Sequence, residues 1–247
     1  MSKSTAVEQF IRKGTGVAGL KLVIGNKNYS SWSMRPWVLM TQKGIDFEEH
    51  LIRFDGFEED SQFKQEISAI NPLGKVPALI DGELVVTDTL AIAEYLAERH
   101  PELALWPTEP QSRALARSAS AEMHSGFGVL RRLLPMNIEA ELGDVGARLL
   151  QQHPELRADI ARLEALWETM LMRFGGPMLC GTYSIVDAFF TPVVMRLKTY
   201  GIALASPMAT AYADAICSLP STRAWCEAAV QEADFLPFEE PYRTHRG

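Results

Sequence analysis

The sequence predicts an α/β domain followed by an all-α domain. In the first hundred residues, short apolar runs alternate with stretches of helical periodicity in the order β-α-β-α-β-β-α. After Pro101 the pattern contains no convincing strand, and the Ala, Leu, Met and Arg content favours helices. These observations divide the chain into an N-terminal extension (1–19), an α/β domain (20–101), a proline-punctuated linker (102–111) and an all-α domain (112–247).

Turn and cap residues predict where the helices and strands of the first domain begin and end. Gly44 ends the first helix, and Asp81-Gly82 predicts a tight hairpin between the last two strands. Pro36 fits the first helix only in its first turn, where the missing N–H costs nothing. The predicted strands are residues 21–24, 47–52, 76–80 and 84–86, and the predicted helices are residues 33–43, 60–70 and 88–99.

The second domain is predicted from helical periodicity alone. Its predicted helices are residues 111–134, 153–174, 184–199, 207–218 and 221–233. No periodic segment is assigned to residues 135–152, and the course of the tail after residue 236 is left open.

Composition limits the classes of function. The chain has 247 residues, with 24 basic against 31 acidic side chains, a net charge of −7 that argues against a nucleic-acid binder. No run of 18 uncharged apolar residues predicts a membrane span. The three cysteines show no CxxC spacing and the histidines no HxxxH spacing, so we expect a cytoplasmic protein without a metal site.

Ser30 and Ser31 lie at the start of the first helix. Hydroxyls at that position neighbour unpaired N–H groups and the positive end of the helix dipole, which favour an anion such as a ligand thiolate. A hydroxyl donor and the dipole together lower the pKa of a thiol. The alternative is that these serines only cap the helix.

Residues 71–77 form a second candidate loop, which includes Lys75, Val76 and Pro77. A cis Val76–Pro77 bond would turn the backbone of Val76 outward to pair with a peptide-like ligand. The residues alone favour the alternative, an ordinary trans proline on an edge strand.

Two further pairs of residues are candidates for ligand binding. Asp88 and Thr89 open the third helix, where they either cap it or bind an anion at its first turn. Arg131 and Arg132, on the first helix of the second domain, either bind a substrate carboxylate or form surface ion pairs.

The two-domain pattern with these loops resembles the cytosolic glutathione transferases over residues 20–235. The resemblance implies a thioredoxin-like first domain. Ser30-Ser31-Trp32-Ser33-Met34-Arg35 is similar to the zeta-class pattern Ser-Ser-Cys-Ser-x-Arg, and residues 43–48 are similar to a zeta-class run. Ser184-Ile185-Val186-Asp187 resembles the helix-capping box of the same family.

The resemblance implies roles for individual residues. Ser30 or Ser31 would donate a hydrogen bond to the glutathione thiolate. Val76, followed by a cis Pro77, would pair with the cysteinyl unit. The residues that would bind the rest of glutathione are Trp32, Gln62, Lys75, Asp88 and Thr89.

Two departures from the zeta pattern bear on the reaction. Trp32 stands where the zeta pattern has a cysteine. Thr199 stands where zeta-class enzymes have an arginine that binds the substrate. Tyr29 is an alternative source of the hydroxyl that would donate a hydrogen bond to the glutathione thiolate.

The resemblance implies a cytoplasmic homodimer that activates glutathione, as co-substrate and without a metal, for attack on a small electrophile. Glutathione-dependent isomerisation of a maleyl-type double bond is the alternative reaction. A non-catalytic binding or regulatory protein is the alternative from another class.

Overall fold

The computed structural model describes residues 19–246. The predicted extension, residues 1–19, lies outside the described residues except for Gly19. The strands are β1 (Leu20–Ile24), β2 (Phe47–Leu51), β3 (Ala78–Asp81) and β4 (Leu84–Thr87). The helices are α1 (Ser31–Lys43), α2 (Gln62–Ile70), α3 (Thr89–Arg99), α4 (Pro110–Ser125), α5 (Gly128–Leu133), α6 (Gly143–Gln152), α7 (Pro154–Phe174), α8 (Ile185–Thr199), α9 (Pro207–Ser218) and α10 (Pro220–Glu232).

The four strands form one mixed sheet in the order β2-β1-β3-β4. β2 runs parallel to β1, and the other two pairings are antiparallel. Because successive strand residues point to opposite faces, Leu22 and Ile24 pack under α1 and α3, while Val23 packs under α2. The predicted thioredoxin-like domain followed by a helical domain is confirmed.

The first helix begins at Ser31, two residues before the predicted start. Pro36 therefore lies in the second turn of α1 and not in the first, so its missing N–H leaves one helical hydrogen bond unmade. Gly44 ends the helix with φ 67°, in the left-handed region that glycine adopts without strain.

Two predictions for the second domain are wrong. The helix predicted over residues 111–134 is interrupted, since Gly126 is extended and Phe127 has φ 52°. Helix α6 was not predicted because two glycines weaken its helical propensity. Gly146 is required there, as a Cβ atom at this position would lie 1.9 Å from the carbonyl oxygen of Tyr200.

Helix α8 forms the centre of the second domain and packs against α1 of the first. The predicted capping box at its start is confirmed. The buried carboxylate of Asp187 accepts hydrogen bonds from the backbone of Ser184 at 2.8 Å and of Leu179 at 3.0 Å. Among residues 19–246, no helix has the length and apolar character needed to cross a membrane.

Replacing Asp187 with Ala should lower the free energy of unfolding by about 3 kcal/mol, because it leaves two buried N–H groups without an acceptor. Urea denaturation measures the loss. Asp214→Ala, at an exposed site on α9, is the control and should change stability by less than about 0.5 kcal/mol. Equal effects of the two substitutions would contradict a structural role for the capping box.

Candidate active site

A cavity of about 630 Å³ lies where the amino end of α1 meets the second domain. The predicted site residues in its wall are Ser30, Ser31, Trp32, Lys75, Val76, Pro77, Asp88, Thr89 and Arg131. Phe54, Phe57, Phe63 and Met136 make part of the wall apolar. The cavity therefore combines loops from the first domain with the end of α5 and residues from α8 and the C-terminal tail.

The two serines at the start of α1 have different hydrogen bonds. Ser30 Oγ donates to Ser33 Oγ at 2.7 Å, and Ser33 Oγ also accepts from the backbone of Gly25 at 3.2 Å. Ser31 Oγ accepts from Arg196 Nη2 at 2.9 Å. The proton of Ser30 is thus committed within the loop, whereas the hydroxyl proton of Ser31 remains available to a ligand.

The loop before α1, residues 26–29, is held by the second domain and the tail. Trp225 Nε1 donates to the carbonyl of Lys27 at 3.0 Å, and Asn28 Nδ2 donates to Asn137 Oδ1 at 3.1 Å. The hydroxyl of Tyr29 donates to Glu240 Oε1 at 2.8 Å. Burial and this contact raise the pKa of Tyr29 to about 12. The hydroxyl proton of Tyr29 is therefore engaged by the tail, although the residue itself lies in the cavity wall.

The second loop precedes β3. The Val76–Pro77 peptide bond is cis, which confirms the geometry that the family resemblance implies. Asn71 fixes the loop, because its side chain donates to the carbonyl of Lys75 at 2.7 Å and accepts from the backbone of Leu73 at 3.0 Å. Val76 lies in the cavity wall and outside the strand ladder of β3.

Asp88 and Thr89 form the third loop, at the start of α3. Asp88 has φ 73° and ψ 136°, a conformation that residues other than glycine seldom adopt. Its Oδ1 accepts from the backbone of Leu90 at 2.8 Å, so it caps the helix. Thr89 Oγ1 accepts from Arg35 Nη1 at 3.4 Å. The strained backbone points to a functional position, where the surrounding structure maintains such conformations.

Three arginines surround Trp32 and Ser31. The guanidinium of Arg35 lies 4.1 Å from the ring centroid of Trp32, and that of Arg131 lies 5.6 Å from it. Arg196, on α8, also donates to the carbonyls of Arg131 and Leu134. Burial and the neighbouring cations lower the pKa of Arg35 to about 9, and burial lowers that of Arg196 to about 10. Arg131 and Arg196 lie in the cavity wall, so this side of the cavity is positive.

Glu239 brings a carboxyl group into the same cavity from the tail. Burial raises the pKa of Glu239 to about 7, although the nearby charge of Arg196 lowers it. The sequence analysis did not identify this residue, and no local pattern in the tail indicates it. A group that titrates near neutral pH inside a cleft is typical of a functional site.

The comparisons with known proteins agree with this geometry. Residues 29–99 match the family model described as the N-terminal domain of glutathione S-transferase. The chain is 31% identical to a probable maleylacetoacetate isomerase from Caenorhabditis elegans, over 73% of this chain and 80% of the nematode protein. It is 30% identical to a zeta-class glutathione S-transferase from Euphorbia esula, over 67% of this chain and 71% of the plant protein.

The chain belongs to the glutathione S-transferase family. A glutathione transferase homologue from Burkholderia, solved with bound glutathione, has the same fold with a TM-score of 0.63 and 22% identity. That alignment covers 86% of this chain and 99% of the Burkholderia chain. The family and its zeta-class relatives support glutathione transferase activity, and they are also consistent with the isomerase alternative.

The arginine of α8 that reaches the cavity of this transferase does not lie at the position that the zeta pattern indicates. Thr199, where the zeta-class arginine was expected in register, donates its hydroxyl to the carbonyl of Asn137 at 2.6 Å and lies outside the cavity wall. Arg196 lies about one turn earlier on α8 and reaches the cavity. An arginine within a predominantly apolar helix is the sequence feature that indicates this residue, because a buried charge requires hydrogen-bond partners.

Two predicted site residues of this transferase do not reach the cavity. Gln62 donates its side-chain amide to Glu66 at 2.7 Å on the exposed face of α2. Arg132 is exposed on α5. Within residues 19–246, no group of three or more His, Cys, Asp or Glu side chains is arranged to bind a metal ion.

Affinity of the transferase for an anionic ligand should fall as pH rises from 6 to 8. Glu239 loses its proton across this range, since its pKa is about 7, and adds a negative charge near Arg196. We expect S-(1,2-dicarboxyethyl)glutathione to bind about fivefold more weakly at pH 8 than at pH 6, as measured by titration calorimetry. Glu239→Gln should remove most of this dependence.

S-Methylglutathione is the matched control ligand, because it lacks the two added carboxylates and should show a smaller pH dependence. An equal pH dependence of the dicarboxylate in the wild type and in Glu239→Gln would contradict the assignment.

Proposed function

We propose that the protein binds reduced glutathione in this cavity and activates its thiol through Ser31 at the amino end of α1. The observation that carries the proposal is the hydrogen bonding of Ser31 Oγ, whose lone pair accepts from Arg196 while its proton is free for the sulfur. The helix dipole and the nearby guanidinium both favour the thiolate over the thiol.

The other loops would orient the tripeptide. Main-chain groups of Val76 would pair with the cysteinyl unit in the manner of an added strand. Asp88 and Thr89 would receive the γ-glutamyl group, and Lys75 would neutralise a carboxylate of glutathione. Trp32 supplies a broad wall between the glutathione region and the second domain. Gln62 and Arg132 are left out of this proposed site.

Conjugation follows from the bound thiolate. The sulfur forms a bond to an electrophilic carbon, and a leaving group such as halide departs with its electron pair. The protein contributes a thiol of lowered pKa and holds the two reactants together, which converts a bimolecular encounter into a step within one complex. The apolar side chains of the cavity, including Phe57 and Met136, would contact the body of the electrophile.

Isomerisation of a maleyl-type double bond is the second candidate reaction. In that reaction the same thiolate adds to the double bond, the resulting single bond rotates, and the sulfur leaves again. The guanidinium groups of Arg131 and Arg196 favour this candidate, because they provide two cations for the carboxylates of such a substrate. The isomerase named among the relatives supports the same proposal.

We further propose a cytoplasmic homodimer, as the family resemblance implies. The free state of Cys180, Cys217 and Cys226 suits a reducing compartment. Light scattering coupled to size-exclusion chromatography measures the mass of the assembly against 27.5 kDa for one chain.

Ser31→Ala should raise the pKa of bound glutathione by about one unit and lower kcat/KM with an aryl halide by about tenfold or more. Ser30→Ala is the matched control, with an expected change of less than about threefold, because the Ser30 proton is committed to Ser33. Ultraviolet titration of the thiolate measures the pKa. An unchanged thiol pKa in Ser31→Ala would refute the role of Ser31.

Arg131→Gln should raise KM for a maleyl-type dicarboxylate by about tenfold, because one carboxylate loses its cation. It should change KM for a neutral aryl halide by less than about twofold. Arg132→Gln, one residue along and outside the cavity, is the matched control for both substrates. A similar KM for the dicarboxylate in both variants would remove Arg131 from the substrate site.

A further inference from the structure

His124, in the last turn of α4, connects the second domain to the third loop of the cavity. Its Nε2 lies 3.3 Å from Oδ2 of Asp88. The other carboxylate oxygen of Asp88 accepts from the backbone of Leu90 at 2.8 Å. The two oxygens of this carboxylate are therefore anchored separately, one by its own helix and one by a residue from the other domain.

Packing fixes the orientation of the His124 ring. The ring meets the edge of Trp32 with 5.3 Å between centroids and an interplanar angle of 77°, and it lies 6.3 Å from the ring of Phe189. Its Nδ1 is buried and has no hydrogen-bond partner within residues 19–246. The ring is thus held by aromatic neighbours, and its polar contact is directed at Asp88.

Among residues 19–246, His124 is the side chain that forms an ion-pair contact with the second carboxylate oxygen of Asp88. The side chain of Asp88 is 50% exposed, and its backbone has φ 73°. A carboxylate of aspartate that is bonded at only one oxygen can rotate about its Cβ–Cγ bond. With both oxygens anchored, its plane is fixed, and each oxygen still has a lone pair for a ligand donor.

We propose that His124 is a positioning residue for glutathione, which holds the Asp88 carboxylate in the orientation that receives the ammonium group of the γ-glutamyl unit. This inference rests on the proposed placement of that unit at Asp88 and Thr89. A residue of the second domain then also determines how tightly glutathione is bound.

Trp32 makes the arrangement possible. Its indole ring extends from α1 to the His124 ring of α4, a distance that the shorter cysteine side chain of the zeta pattern would not span. The guanidinium of Arg35 packs against the indole at 4.1 Å and holds it in place. The departure of this chain from the zeta pattern thus provides the surface on which His124 rests.

A pair of polar substitutions tests the proposal. Gln places its side-chain nitrogen near the position of Nε2, so His124→Gln should keep the contact with Asp88, whereas the shorter His124→Asn cannot reach it. KM for glutathione should rise about five- to tenfold in His124→Asn and stay within about twofold of the wild type in His124→Gln. For both variants, kcat at saturating glutathione should change by less than about twofold, as measured with an aryl halide.

His153→Asn is the control, because His153 also contacts a carboxylate, through Nδ1 to Glu155 at 2.9 Å, and lies outside the cavity wall. It should leave KM for glutathione unchanged. A glutathione analogue without the α-amino group provides the second readout. His124→Asn and the wild type should bind this analogue equally, and adding His124→Asn to Asp88→Ala should have no further effect on glutathione.

Equal KM values for His124→Asn and His124→Gln would overturn the proposal. It would also be overturned if His124→Asn lost as much affinity for the analogue without the α-amino group as it loses for glutathione. Failure of the wild type to bind glutathione at all would instead refute the proposed function. The two failures are distinguishable, because the first leaves wild-type binding and turnover intact.

Discussion

The buried guanidinium of Arg196 is the constraint on which the site depends. A charge in the interior is costly unless hydrogen bonds satisfy it, and Arg196 finds acceptors in the carbonyls of Arg131 and Leu134 and in the hydroxyl of Ser31. These acceptors come from the end of α5 and the start of α1. Satisfying one cation therefore aligns three helices from two domains. In the same contact Ser31 Oγ is the acceptor, so its proton remains free to donate, and the guanidinium makes this part of the cavity positive.

Trp32 has a second structural consequence for this transferase. The guanidinium groups of Arg35 and Arg131 lie 4.1 Å and 5.6 Å from the centroid of its indole ring, whose π-system attracts both cations. This ring stands where the zeta pattern has a cysteine, so in the proposed reaction the sulfur comes from glutathione alone.

The tail determines the loop that precedes the first helix. Glu240 accepts from both Tyr29 and Asn137, and it is bound in turn by Arg243 at 2.9 Å. Because these contacts are buried or half-buried, they restrict the loop more than surface ion pairs of the same length would. The residue before Glu240 enters the cavity as a titratable carboxyl group. The tail thus supports the amino end of α1 and contributes a carboxyl group to the cavity.

Features that depend on near neighbours in the chain were predictable from the sequence. The apolar alternation of β1, the glycine that ends α1, the hairpin at Asp81-Gly82 and the capping box at Ser184 each involve residues a few positions apart, so local sterics and hydrogen bonding determine them. The anion-favouring start of α1 belongs to the same group. Tertiary packing alone decided that Arg196 rather than Thr199 lies in the cavity wall, that Gln62 lies outside it and that Glu239 lies within it. It also decided that His124 contacts Asp88. These contacts join residues far apart in the chain, and a shift of one helical turn, about 5.4 Å, is enough to exchange the side chain that arrives.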